Sequence, residues 1–258
     1  MPEKNADPII ETKNLTIRFG GHVAVDHVNL RIEPFVLKSI IGPNGAGKTT
    51  LFNLMTGQYR PSEGKVYLKG KDITRLSAVA RTRLGMGRSF QLTNIFPLLT
   101  VLENVRVAIQ SRKGFGLNFW RNYLHFSGVE DEAYSILKEV LLEEKWPVLA
   151  SALTHGEQRK LEIAILLALE PEILFLDEPT AGMGQEEVPA ILEILQRIKE
   201  AGDRTMLLVE HKMDMIMTLS DTIAVLQEGR LIADGDPEEI SKSDAVQEAY
   251  LGGGAKRE

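Results

Sequence analysis

The run Gly42-Pro43-Asn44-Gly45-Ala46-Gly47-Lys48-Thr49 fits the phosphate-loop pattern G-x-x-x-x-G-K-[ST] at every fixed position. Its glycines let backbone N–H groups curl around anionic oxygens at a helix N-terminus, whose partial positive charge favours phosphate, and Lys48 reaches the β- and γ-phosphates. Thr49 offers a hydroxyl to Mg²⁺, and Thr50 continues the first helical turn. This chemistry implies ATP or GTP as ligand. Downstream, Ile173-Leu174-Phe175-Leu176 ends in Asp177-Glu178. Adjacent side chains on a strand point opposite ways, so Asp177 can support Mg²⁺ while Glu178 polarises a water attacking the γ-phosphate. Taken alone, Glu178 also has a structural reading, as a cap on the turn into Pro179.

These groups need a scaffold that delivers them to one edge. Val36–Ile41 before the loop reads as a buried strand and Thr49–Met55 after it as a helix. Ile9–Phe19 and Val23–Ile32 alternate apolar and polar residues around Gly20-Gly21, the pattern of an antiparallel hairpin. A strand near Lys65–Leu68, a turn at Gly70-Lys71-Asp72, a helix over Ser77–Leu84 and a strand over Met86–Phe90 follow. Residues 92–150 lose the strand–helix alternation and read as an inserted helical sub-domain. Beyond Pro171, strands at Ile173–Leu176, Thr205–Val209, Ile223–Leu226 and Arg230–Ala233 alternate with helices at Glu186–Glu200 and Lys212–Leu219. The expected fold is α/β: a P-loop core with a mostly parallel sheet, an N-terminal antiparallel β layer and the helical insertion. One domain is expected over 1–252, with its core at about 1–91 and 151–252 and a flexible tail at 253–258.

The chain has 258 residues, a formal net charge of −6 and no cysteine. That balance gives no electrostatic footprint for nucleic acid, and a disulfide framework or thiolate metal site is excluded. His22, His27 and His125 lack metal-ligand spacing, so no transition metal is assigned. The N-terminus has no apolar signal region, and the longest apolar run, Ile163–Leu169, is too short to span a bilayer, so the chain reads as cytoplasmic. Phe119, Tyr123 and Phe126 fall at i, i+4, i+7, an aromatic helix face that either packs on the helical insertion or meets a membrane partner or the headgroup interface. The methionines at 206, 213, 215 and 217 read as core filling.

Leu153-Thr154-His155-Gly156-Glu157-Gln158, followed by the helix Arg159–Leu167, resembles the LSGGQ signature of ATP-binding-cassette (ABC) ATPases, with Thr154, His155 and Glu157 substituted. A hydroxyl and a glycine at a helix start suit a γ-phosphate. In that family the motif closes over ATP held by the opposite subunit; a plain capped helix start is the structural alternative. The resemblance extends from about Ile9 to Gly252 and assigns further stations. Phe19 would stack on adenine, Gln91 would touch Mg²⁺ at the entry to the helical sub-domain, and His211 would contact the γ-phosphate. Arg88–Val105, Leu161–Ala164, Ala181–Met183 and Ala249–Gly252 resemble the LivG-type ATPases of branched-chain amino acid importers. This implies Mg²⁺-dependent ATP hydrolysis powering amino acid uptake, with transmembrane permease subunits, a second, different ATPase subunit and, indirectly, an external solute-binding protein as partners. The chain would sit peripherally on the inner face of the membrane. A related branch serves urea importers and often carries a histidine in its signature, as His155 does here, so urea or amide transport stays open, as do export and a soluble role. Two departures stand out: Gly184, where relatives carry Asp or Asn, and Pro34-Phe35-Val36, in place of a glycine-containing turn.

Overall fold

The computed structural model describes residues 7–88, 95–114 and 127–251. Gln91, the aromatic stretch at 115–126 and the tail at 253–258 lie outside the described residues. Two strands, β1 (Ile10–Phe19) and β2 (His22–Ile32), form the expected hairpin, turning at Gly20 with φ 58°. The free edge of β1 pairs antiparallel with β4 (Glu63–Leu68), which pairs in turn with the two-residue β5 (Lys71–Asp72). The turn therefore falls at Lys69-Gly70, both at positive φ, and Lys71-Asp72, expected as turn, is the returning strand.

The second sheet has the order β10-β9-β3-β8-β7-β6. Its members are β3 (Leu37–Ile41), β6 (Met86–Arg88), β7 (Ile173–Asp177), β8 (Thr205–Val209), β9 (Thr222–Gln227) and β10 (Arg230–Gly235). The pairs β3–β8, β3–β9 and β7–β8 are parallel, and β10 runs antiparallel to β9. Every residue of β3, β7 and β8 is buried, as strands covered on both faces require. Two of these buried residues carry charge, Asp177 at the end of β7 and Lys38 in β3. Lys38 is paired. Its ammonium meets Asp234 at 2.6 Å. Burial pushes the Asp234 carboxyl above its ordinary range, and Lys38 opposes that shift.

Helix α1 (Lys48–Met55) leaves the phosphate loop, and α2 (Ala78–Thr82) begins after Ser77, whose hydroxyl accepts from the Ala80 N–H as the N-cap. Two compact units result. One holds residues to Met86, Glu172–Glu178 and residues from Gly202. The other holds Gly87–Pro171 and Pro179–Ala201, in which α3 (Val101–Arg112), α4 (Ser127–Glu139) and α5 (His155–Ala168) pack together and α6 (Val188–Ala201) packs on α4. In the first unit, α7 (Met213–Leu219) follows β8. Then α8 (Pro237–Ser241) and α9 (Asp244–Leu251) add Ile240 and Val246 to a core cluster with Ile41 and Ile223. Among the described residues no helix is long and apolar enough to cross a membrane.

Candidate functional site

The phosphate loop depends on Gly42 and Gly47, where a side chain would collide with neighbouring backbone. Gly42 adopts φ 150° and a Cβ there would stand 2.1 Å from the Leu226 carbonyl oxygen; Gly47, at φ 98°, would place one 2.4 Å from the Ala24 carbonyl oxygen. Gly47 is the residue before α1, with no side-chain cap on the helix and no acid in its first turn, so the leading N–H groups are uncompensated. This is a helix end built for an anion. Asn44 and Gly45 are exposed on the loop, Pro43, Thr49 and Thr50 are half-buried, and Ala46 is buried with its N–H on the Pro43 carbonyl. Lys48 folds back on the loop, its Nζ donating to the Gly42 carbonyl at 2.8 Å and the Pro43 carbonyl at 3.1 Å. Burial lowers its pKa, and the nearby Glu178 and Asp177 carboxylates raise it in opposition. The far end of α1 is tied down by Arg81, only 1% exposed, whose guanidinium donates to the Leu54, Met55, Thr74 and Leu76 carbonyls. Burial pulls its pKa down to about 10.

Parallel β3, β8 and β7 deliver their loops to the carboxyl edge of one sheet, where open α/β folds bind ligands. Asp177 ends β7 and is fully buried. Glu178 follows at φ 49°, a strained conformation for a residue preceding proline, costing on the order of 1–3 kcal/mol. Its backbone N–H donates to Val209 at 2.9 Å, which locks it to the end of β8. The Glu178 carboxylate then meets the His211 ring at 2.8 Å through Oε1 and Nε2. His211 is itself fixed by its backbone N–H on the buried Glu210 carboxylate at 2.8 Å. So Lys48, Asp177, Glu178 and His211 come together at one sheet edge.

Phe19 ends β1 with its ring 48% exposed and packs edge-on against Tyr59, itself 41% exposed, at 5.5 Å between centroids. Tyr59 escaped the sequence reading because nothing in its local pattern, after the Gly57 turn, pairs it with Phe19. Phe35 has φ 61° and its N–H donates to the Thr205 hydroxyl. The turn before β3 thus needs the left-handed conformation that glycine adopts without strain.

In the second unit, Thr154 caps α5, so the helix begins at His155 and the signature residues form its first turn, ahead of the expected start at Arg159. The Thr154 hydroxyl accepts from the Glu157 N–H at 3.2 Å, and the Glu157 carboxylate accepts from the Thr154 N–H at 2.9 Å. This is a capping box. Burial resists ionisation of Glu157, yet the Thr154 N–H and Lys145, at 3.1 Å, hold its pKa below the ordinary value. Lys145 thus supplies a positive charge beside Glu157 at the start of α5. A further residue missed by sequence reasoning, Glu187, accepts from the Gly156 N–H at 3.1 Å. Gly184 also turns its N–H to Glu187, at 3.3 Å. His155 is exposed and lies over Gly182. Among the described residues no group of three or more His, Cys, Asp or Glu side chains could hold a metal ion. A cation at the sheet edge would therefore rely on ligand phosphates and isolated oxygen donors.

A glycine loop feeding a bare helix N-terminus, with acids at the end of a nearby parallel strand, is the construction of a P-loop nucleotide-binding protein. A family model described as ABC transporter matches residues 25–181, and one described as branched-chain amino acid ATP-binding cassette transporter matches residues 230–256. The chain is 40% identical over 252 residues to the high-affinity branched-chain amino acid transport ATP-binding protein BraF of Pseudomonas aeruginosa, covering 95% of this chain and 98% of that protein. It is 35% identical to the probable branched-chain amino acid transport ATP-binding protein LivG of Archaeoglobus fulgidus, over 95% of each. Among solved structures, the ADP conformation of an ATP-binding cassette of an ABC transporter superposes with a TM-score of 0.81 at 28% identity, over 95% of this chain and 99% of that one. A dimeric post-hydrolysis cassette bound to ADP and Pi matches at 0.74 and 27%, over 88% and 98%. The chain belongs to the ABC transporter family.

Proposed function

We propose that this chain is the Mg²⁺-dependent ATP-hydrolysing subunit of an ABC importer for branched-chain or related amino acids. The observation that carries the reading is the convergence of Lys48, Asp177, Glu178 and His211 at the ends of adjoining strands, in a chain whose relatives are named for branched-chain amino acid transport. The loop amides and Lys48 bind the β- and γ-phosphates, Lys48 exchanging two loop carbonyls for phosphate oxygens. The exposed Phe19 ring, backed by Tyr59, offers adenine a face. Hydroxyl, carboxylate and amide oxygens suit a hard cation, so Thr49, Asp177 and Gln91 are the residues to hold Mg²⁺. Once bound, that ion would neutralise charge shared by the β- and γ-phosphates. Glu178 orients the water and draws its proton as the water oxygen bonds to the γ-phosphorus and the bond to the β–γ bridging oxygen breaks, releasing ADP and phosphate. His211 positions the Glu178 carboxylate and contacts the γ-phosphate.

Thr154, His155, Gly156 and Glu157 contact ATP on an opposite nucleotide domain, a reading supported by the dimeric relative. That domain is a second, different ATPase subunit. Permease subunits carry the solute path, fed by an external binding protein, and hold this chain at the inner membrane face. The helical segment at about 92–150 is the permease-facing part. Phe96, Leu98, Trp146 and Leu149 are exposed there, and backbone hydrogen bonds from Val101 to Val148 and from Ala150 to Leu99 hold their segments side by side. Exposed apolar clusters of this kind mark interaction surfaces. His155 favours a second reading, urea or amide import. Uptake of leucine against urea by vesicles carrying the assembled transporter separates the two: ATP-dependent leucine accumulation supports the first, and urea accumulation alone overturns it. Sedimentation of the Glu178→Gln chain with ATP tests the heteromeric pairing, for which a monomer is expected; a stable homodimer would contradict it.

A further inference from the structure

The N-terminus of α5 is already covered by a carboxylate of its own chain. Glu187 Oε1 accepts from the Gly156 N–H at 3.1 Å and the Thr154 hydroxyl at 3.5 Å, while Oε2 accepts from the Gly184 N–H at 3.3 Å. The backbone N–H of Glu187 donates to the Gly184 carbonyl at 3.0 Å, anchoring the side chain just before α6. The approach depends on Gly156 having no side chain. A Cβ there would stand 2.5 Å from Glu187 Oε1 and 2.8 Å from its carboxyl carbon. Glu157 shares the same helix start but turns its carboxylate to the Thr154 N–H and Lys145. The Gly156 donor is therefore held by Glu187, 31 residues further along the chain.

We propose that Glu187 is a positioning residue that occupies the anion site of the signature turn and must release it for the γ-phosphate of the opposite subunit's ATP to dock. This rests on the reading of Thr154–Glu157 as the ATP-facing signature. Carboxylate and phosphate are both anionic acceptors favoured by the same helix end, and the Gly156 N–H cannot satisfy both. Apparent affinity for the docking phosphate falls by the fraction of time that the site stands free, so Glu187 sets the ATP concentration at which the two domains close. Release also frees the Gly184 N–H, linking the segment after Pro179 to the same event.

The test is the ATP dependence of turnover in the assembled transporter, for the parent chain and for Glu187→Gln, Glu187→Asp and Gly156→Asp. Glu187→Gln keeps shape and removes the charge; Glu187→Asp keeps the charge and withdraws it by one methylene, which covers the case in which the first variant fails to fold. Both are expected to lower half-saturating ATP, the glutamine by at least about threefold, with a smaller change in maximal turnover. A purely structural Glu187 would instead lower thermal stability and maximal turnover without lowering half-saturating ATP, and that result overturns the proposal. Unchanged half-saturating ATP in folded Glu187→Gln overturns it too. Gly156→Asp reports on the signature reading separately: loss of turnover with ATP binding kept by the isolated chain supports it, and parental turnover refutes it whatever the Glu187 variants do.

Discussion

Arg81→Met should cost this protein more stability than loss of a surface charge, because it removes a buried guanidinium that ties the far end of the phosphate-loop helix to its surroundings. The guanidinium donates to Leu54 at 2.8 Å, Met55 at 2.6 Å, Thr74 at 3.1 Å and Leu76 at 3.2 Å, from a side chain 1% exposed. Hydrogen bonds to a charged donor contribute about 1.5–3 kcal/mol each, so four carbonyls lose at least ~6 kcal/mol gross. Removing a desolvated charge returns several kcal/mol, the same penalty that has already drawn the Arg81 pKa down to about 10. Methionine fills most of the volume, leaving a net loss of about 3 kcal/mol, a drop of roughly 6–12 °C in Tm for a chain of this size. Arg81→Lys should recover less than half, since an ammonium has three donors and no planar fork to span four carbonyls. Calorimetric unfolding measures the loss, and titration with ATP should show weaker binding, because α1 starts at Lys48. A folded Arg81→Met protein melting within about 2 °C of the parent would refute the capping argument.

Lys48→Ala removes the cation that donates to the Gly42 and Pro43 carbonyls and is proposed to turn to the phosphates. ATP affinity measured by calorimetry should fall at least tenfold while the circular dichroism spectrum stays unchanged. Asp72 should titrate at about 2 in a carboxyl-shift NMR experiment, because the Thr74 hydroxyl and N–H and then Lys65 stabilise its anion. An acid with a depressed folded pKa stabilises the fold above its unfolded value, so this contribution is complete above about pH 4 and is lost as pH falls from 3.8 towards 2. Asp72→Asn should remove that part of the acid dependence.

What was legible in the sequence was what depends on neighbours along the chain. The phosphate loop announces itself because its glycines, lysine and threonine act within eight residues, and Asp177-Glu178 because an apolar run delivers them. The hairpin and parallel strands follow from period and burial. Contacts made across the fold were not legible. Nothing near Arg81 says that its charge is buried under α1, and nothing near Glu187 says that it reaches Gly156. Phe35 and Glu178 sit at positive φ, a conformation that side-chain type argues against and that tertiary hydrogen bonds to Thr205 and Val209 impose. One local signal was overlooked: Asp236-Pro237 followed by Glu239 is a capping box with proline at the helix start, and it opens α8.

Glu178, held by His211 at the end of β7, is the residue proposed to drive ATP hydrolysis. Glu178→Gln keeps the side chain's shape and removes the charge proposed to orient the attacking water. The decisive measurement is γ-phosphate release from Mg²⁺-ATP by the Glu178→Gln and parent proteins, with ATP affinity measured on the same samples. ATP binding should be unchanged and phosphate release slowed by about 10²–10⁴-fold. Phosphate release at the parental rate from a folded Glu178→Gln protein would contradict it.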